Sequence, residues 1–174
     1  LADMARVTGS VDEDLLKRTS RFILSKRSPN GKWITVTRDA WDRPKENDAL
    51  LLTAYAAWAL ATAAALEKTP DPKVNEVLDV VHNLAGDEAE DSYGLTLRVN
   101  ALLAGGRNDA AKVLAERLAA RAIRDDEGVH WGSSQSGVLY SYGSSLEVEV
   151  TGLATHALAL AGLRQVSEGH AFDD

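Results

Sequence analysis

Apolar residues recur at helical spacing along nearly the whole chain, in two distinct patterns. In 73–85, KVNEVLDVVHNLA, Val74, Val77, Leu78, Val81 and Leu84 form one stripe, and Lys73, Glu76 and Asp79 fall outside it. Segments 14–27 and 109–123 repeat this amphipathic pattern. Segments 49–66, 93–104 and 146–163 are apolar nearly all round, the mark of helices covered on several sides. The two kinds alternate. The spacing predicts helices near 12–27, 48–67, 73–85, 92–104, 109–124 and 146–164, with the three apolar ones most buried.

The apolar segments also align with one another. Thr53-Ala-Tyr55-Ala-Ala-Trp58-Ala59-Leu60 lies over Leu95-Thr-Leu97-Arg-Val-Asn100-Ala101-Leu102, and both lie over Thr151-Gly-Leu153-Ala-Thr-His156-Ala157-Leu158. The loops before the first and last of these match as well, Asn30-Gly31-Lys32-Trp33 against Glu127-Gly128-Val129-His130-Trp131. Gly31 precedes Leu60 by 29 residues, and Gly128 precedes Leu158 by 30. The chain therefore reads as three helical hairpins, each an amphipathic outer helix followed by an apolar inner one. Such units stack because none buries its apolar face alone. The expected fold is all-α, an arc of about three hairpins in a single domain over 1–174, with a flexible tail at 167–174.

The stretch 144–150, SSLEVEV, alternates like a strand but precedes a helical pattern. Ser144 with Glu147 fits a capping box, and Glu147 and Glu149 in a first turn would meet the positive end of the helix dipole. It is read as a charged helix start; an extended entry over 138–146 is the competing reading.

Composition narrows the function classes. A net charge of −7 and no basic stripe argue against nucleic-acid binding. The absence of cysteine excludes disulfides, thiolate metal sites and cysteine nucleophiles within the chain. Residues 49–66 carry no charge over 18 positions, but half are alanine, so a helix buried in protein is expected there rather than a membrane span. The sequence starts at Leu1 with no signal pattern behind it, which points to a piece of something longer.

Candidate chemistry is sparse. His82, His130, His156 and His170 include no i, i+4 pair of metal-binding spacing, and His156 reads as a hydrogen-bonded core histidine. Glu147 and Glu149 are read as helix-capping carboxylates, with a paired acid–base role as the alternative. Asp125-Asp126-Glu127 and Asp173-Asp174 could hold a cation, or be solvated acidic turns. Trp33, Trp41, Trp131, Tyr140 and Tyr142 fall in the two long loops, where they form an interaction surface or plug the ends of helix pairs. No metal site, cofactor site or phosphate-cradling glycine motif is expected.

The alternation resembles the α/α toroid of terpenoid cyclases, protein prenyltransferases and the thioester domains of α-2-macroglobulin and complement proteins. Details favour the last family. Asn47-Asp48 leading to Thr53-Ala54-Tyr55, and Val148-Glu149-Val150-Thr151 leading to Ala154-x-x-Ala157-Leu158, are similar to its inner-helix starts. Leu24 to Trp33 is similar to its turn after an outer helix, and Tyr93 to Leu97 to its middle repeat. The likeness runs over about 11–165.

It implies a bacterial-type α-2-macroglobulin thioester-like domain, with three hairpins of a six-hairpin toroid. The chain would be a structural and interaction domain, not an enzyme, in a secreted or periplasmic endopeptidase-trapping protein. Its partners would be other domains of the parent and proteases, and its open ends would favour self-association. The family's thioester uses Cys-x-x-Gln, which this chain lacks, and a histidine that loop 34–47 also lacks. A fragment of a cyclase or prenyltransferase, or an unrelated helical-repeat scaffold, is the alternative.

Overall fold

A computed structural model describes residues 4, 7–10, 12–34, 46–85, 90–126, 128–134, 137–138 and 141–163, with backbone alone at 46–48. It is mostly helical: α1 (Glu13–Ser25), α2 (Glu46–Ala64), α3 (Lys73–His82), α4 (Ser92–Ala104), α5 (Asn108–Ala119) and α6 (Ser144–Leu160). One antiparallel hairpin, β1 (Ile123–Asp125) with β2 (Gly128–His130), stands between α5 and α6. Helices α2, α4 and α6 form an inner row, in which α4 packs against both others. The amphipathic helices lie outside it, α1 on α2, α3 on α2 and α4, and α5 on α4 and α6. No described helix is long and apolar enough to cross a membrane.

The expected inner and outer roles hold for most elements. Helix α1 buries Leu16, Ser20 and Leu24, one residue per turn, and Asp12 caps it by accepting from Leu15 N at 2.9 Å. Helix α4 is buried at every position from Ser92 to Leu102. Helix α2 is buried over most of its length from Ala49 to Ala63, which agrees with a core helix at 49–66. Helix α6 is the exception among the inner three. It buries Leu146, Val150, Ala154, Ala157 and Leu158, while Val148 is 74% exposed. An all-apolar pattern here marks a helix with one face uncovered, and α6 is the last helix of the described row.

Several helix ends fall short of the expected ones, each for a tertiary reason. Helix α3 stops at His82 rather than 85 because Arg98, buried on α4, donates from Nε to Val81 O (3.2 Å) and from Nη2 to His82 O (3.1 Å). These are carbonyls that a helix end leaves unpaired. Helix α5 stops at Ala119 rather than 124 because Ile123 to Asp125 pair with Gly128 to His130. The stop at 105–108 is as expected: Gly106 adopts φ 71, and Arg107 N reaches back to Leu102 O at 2.8 Å.

The start of α6 is a helix, as expected, but not a capping box. Gly143, at φ 58, occupies the cap position and makes no side-chain cap bond. Glu147 lies in the first turn and Glu149 beyond it.

Candidate functional site

Two places gather polar and aromatic side chains. The first lies where the loop before α6 crosses the starts of α4 and α6. Asp91 caps α4 by accepting from Tyr93 N at 3.0 Å. Its carboxylate also accepts from Ser133 Oγ (2.6 Å), Ser134 N (3.2 Å) and Ser134 Oγ (3.3 Å). One turn of chain away, the buried Tyr93 hydroxyl donates to Glu149 Oε1 at 2.7 Å and accepts from Val138 N at 3.1 Å. Ser141 Oγ donates to the other oxygen, Oε2. Gly137 completes the cluster, since a Cβ there would run into Ser141 Oγ.

The cluster is a bracket, not a reactive dyad. Two carboxylates hold Ser133, Ser134 and Ser141 against two helix starts, and their oxygens face donors instead of a cleft. Burial, followed by the hydrogen bond to Glu149, pushes the Tyr93 hydroxyl well above the usual phenol range, so it stays a donor. Beside the bracket, His130 on β2 lies between Asp125 (3.6 Å) and Glu147 (3.1 Å). Glu147 and Glu149 therefore serve different partners, which sets aside the alternative reading of a carboxylate pair. Asp125 also accepts from Gly128 N at 3.2 Å, as the acidic turn of the hairpin.

The second place is a groove of about 1030 Å3 along the inner row, walled by α2, α4 and α6 and closed on one side by α1. Trp58, Asn100 and His156 meet in it. The imidazole of His156 is 2.9 Å from Asn100 Oδ1 and 6.2 Å, centroid to centroid, from Trp58, at a tilt of 40°. Tyr55 meets Trp58 edge-on at 6.4 Å. His156 is thus hydrogen-bonded as expected, but it lies on the open groove and not in the core.

The loop aromatics separate. Trp131 is fully buried and Trp33 is 6% exposed, so neither contributes to a surface. Both are plugs. Trp33 donates from Nε1 to Ile23 O (3.0 Å) and from N to Thr53 Oγ1 (3.0 Å). Trp131 does the same to Leu118 O (2.8 Å) and Thr151 Oγ1 (3.1 Å). Tyr142 is 80% exposed, and Trp41 and Tyr140 lie outside the described residues. So do His170 and Asp173-Asp174. Among the described residues no group of three or more His, Asp or Glu could hold a metal ion.

Over residues 1–169 the sequence matches the family model of the A-macroglobulin TED domain. The chain belongs to this family. The resemblance to thioester domains is thereby borne out. No curated protein and no solved structure matches the chain. In this TED domain the segments that carried the resemblance have definite places. Tyr93 starts α4 and Glu149 lies near the start of α6, and the two meet in the bracket. Most of the loop 34–47, where the family's histidine would be sought, lies outside the described residues.

The meetings across the inner row were hidden in the repeat itself. Tyr93 and Glu149 are 56 residues apart, as are Asn100 and His156, and 56 is also the offset from Leu102 to Leu158. Trp58, Asn100 and His156 occupy one column of the alignment, just before Ala-Leu. Equivalent residues of neighbouring inner helices end up side by side, so the polar members of a column find each other. Arg98 had no such signal.

Proposed function

We propose that this TED domain serves as a structural and interaction domain of a secreted or periplasmic, bacterial-type macroglobulin that entraps endopeptidases, and that it takes part without covalent chemistry of its own. The observation that carries this reading is a TED-family sequence without a single cysteine among its 174 residues. No thiolate exists within it to form an acyl bond. The bracket supports it: Glu149, Tyr93, Asp91 and Ser141 are engaged in holding a loop, which suits a domain that transmits shape.

The outer edges suit contact with neighbours. Phe22 on α1 is 62% exposed and Val148 on α6 is strongly exposed, at opposite ends of the helix order. Uncovered apolar side chains of this kind favour packing by other domains of the parent or by a second copy. Light scattering of the isolated chain at micromolar concentration should show association that Phe22→Lys and Val148→Lys together reduce. A monomer in both forms would count against open edges.

The function is tested by incubating the parent protein with an endopeptidase and separating the products by size. The expected result is a protease that co-elutes, cleaves small peptides but not proteins, and separates from this chain on a denaturing gel. A protease that remains open to protein substrates, or one bonded covalently to this chain, would overturn the reading.

A further inference from the structure

The groove has the properties of a small-molecule site, whatever the function of the domain in its parent. Its volume is at the upper end of the range of about 300–1,000 Å3 typical for such sites, and it lies between helices. Its walls are largely apolar, with Ile23, Leu103, Leu153 and Leu160 beside Tyr55 and Trp58. Among the described residues no Asp, Glu, Lys or Arg lines it, which suits a neutral occupant. Several wall hydroxyls are already committed: Thr19 donates to Leu15 O, Thr62 to Trp58 O and Ser20 to Glu67.

His156 supplies the polar anchor, and Asn100 determines its tautomer. The buried Asn100 amide donates from Nδ2 to Thr96 O at 3.0 Å, with a longer contact to Leu153 O at 3.4 Å. Both partners are carbonyl oxygens, so the amide can be oriented only one way, and Oδ1 must accept. The proton in the 2.9 Å contact therefore sits on His156 Nδ1. In the neutral ring Nε2 is then an acceptor, on the side of the ring away from Asn100. The imidazole lies 6.2 Å, centroid to centroid, from the Trp58 ring, so an aromatic ligand that reaches Nε2 can also meet the indole.

We propose that this groove binds a small neutral aromatic molecule carrying one hydrogen-bond donor, a phenol or related aryl alcohol, with its ring against Trp58 and its hydroxyl donated to His156 Nε2. Asn100 acts as the positioning residue for that acceptor.

The test is calorimetric titration of the 174-residue chain at neutral pH with 2-naphthol, and with 2-methoxynaphthalene as the equally flat probe that cannot donate. Naphthol should bind roughly ten-fold more tightly, the worth of one such hydrogen bond. His156→Phe, which keeps a ring of similar breadth, should erase that difference, with the fold checked by circular dichroism. Trp58→Leu should weaken both probes. Nitrogen-resolved NMR of the imidazole gives a readout that does not depend on the variants: Nδ1–H in the free protein, and a shift at Nε2 on adding naphthol. Equal affinity for the two probes, naphthol binding untouched by His156→Phe, an Nε2–H tautomer, or no binding by the folded chain would each overturn the proposal. The last outcome includes a groove covered by a second copy.

Discussion

Glu149 shows how far a carboxylate's role can depart from its position in a sequence. A glutamate near a helix start suggests an interaction with the helix dipole worth about 0.3–1 kcal/mol. Here it instead accepts from Tyr93 and Ser141. Removing it leaves the buried Tyr93 hydroxyl without an acceptor, and an orphaned group of that kind costs about 1–3 kcal/mol. Glu149→Ala should therefore lower stability in urea melts by about that range, and Tyr93→Phe made on top of it should cost less than Tyr93→Phe made alone. Tyr93 also sets a pH limit. Its proton is held more tightly in the folded chain than in the unfolded one. This contribution is fully present below about pH 10, where an unfolded tyrosine begins to ionise, and is lost as pH rises through the higher folded value. Urea midpoints should fall above about pH 10, and less steeply in Tyr93→Phe. None of this was legible from Glu149 alone. The adjacency of Tyr93 and Glu149 was present only as a shared repeat offset, which the apolar pattern made visible and the polar residues did not.

At the scale of elements, the periodicity located helices α1 to α6 because burial of apolar stripes decides where helices form. It misplaced several ends because ends answer to partners elsewhere in the chain. Arg98 interrupts an otherwise apolar helix, and nothing in its surroundings in the sequence reveals that it closes α3 and pairs with Glu90 at 3.4 Å. Burial lowers its pKa, an effect that Glu90 opposes. The two tryptophan plugs were foreshadowed better, since their loops matched. Each joins an outer helix to the inner helix that follows, through one backbone carbonyl and one threonine hydroxyl. Thr53→Val and Thr151→Val keep the side-chain volume but deprive a tryptophan N–H of its acceptor. Each should cost about 1–3 kcal/mol in chemical denaturation. The two should also be nearly additive, because they lie in different hairpins. Strong coupling would mean that the hairpins do not act as separate units.

At the scale of the whole molecule, α4 is the element on which the others depend. It touches α2, α3, α5 and α6, and it is buried along nearly its entire length. Helix α1, outside the row on α2, and helix α6, at the end of the row, each expose large apolar side chains, Phe22 and Val148. Amide hydrogen exchange should follow this order, slowest in α4 and fastest in α1 and on the Val148 side of α6. Uniform protection would mean that the end helices are covered in solution. The tryptophan plugs have a further consequence for anyone wishing to rebuild the protein. Trp33 and Thr53 are 20 residues apart, and so are Trp131 and Thr151. In both cases the inner helix begins 13 residues after the tryptophan, at Glu46 and at Ser144. The intervening sequences, ITVTRDAWDRPK and GSSQSGVLYSYG, share almost nothing but their length of 12. The fold thus carries two sockets of one gauge, each with fixed pins at either end. In the second socket Ser133, Ser134 and Ser141 are tied to Asp91 and Glu149, so a foreign cassette spliced there must keep both the count of 12 and those serines.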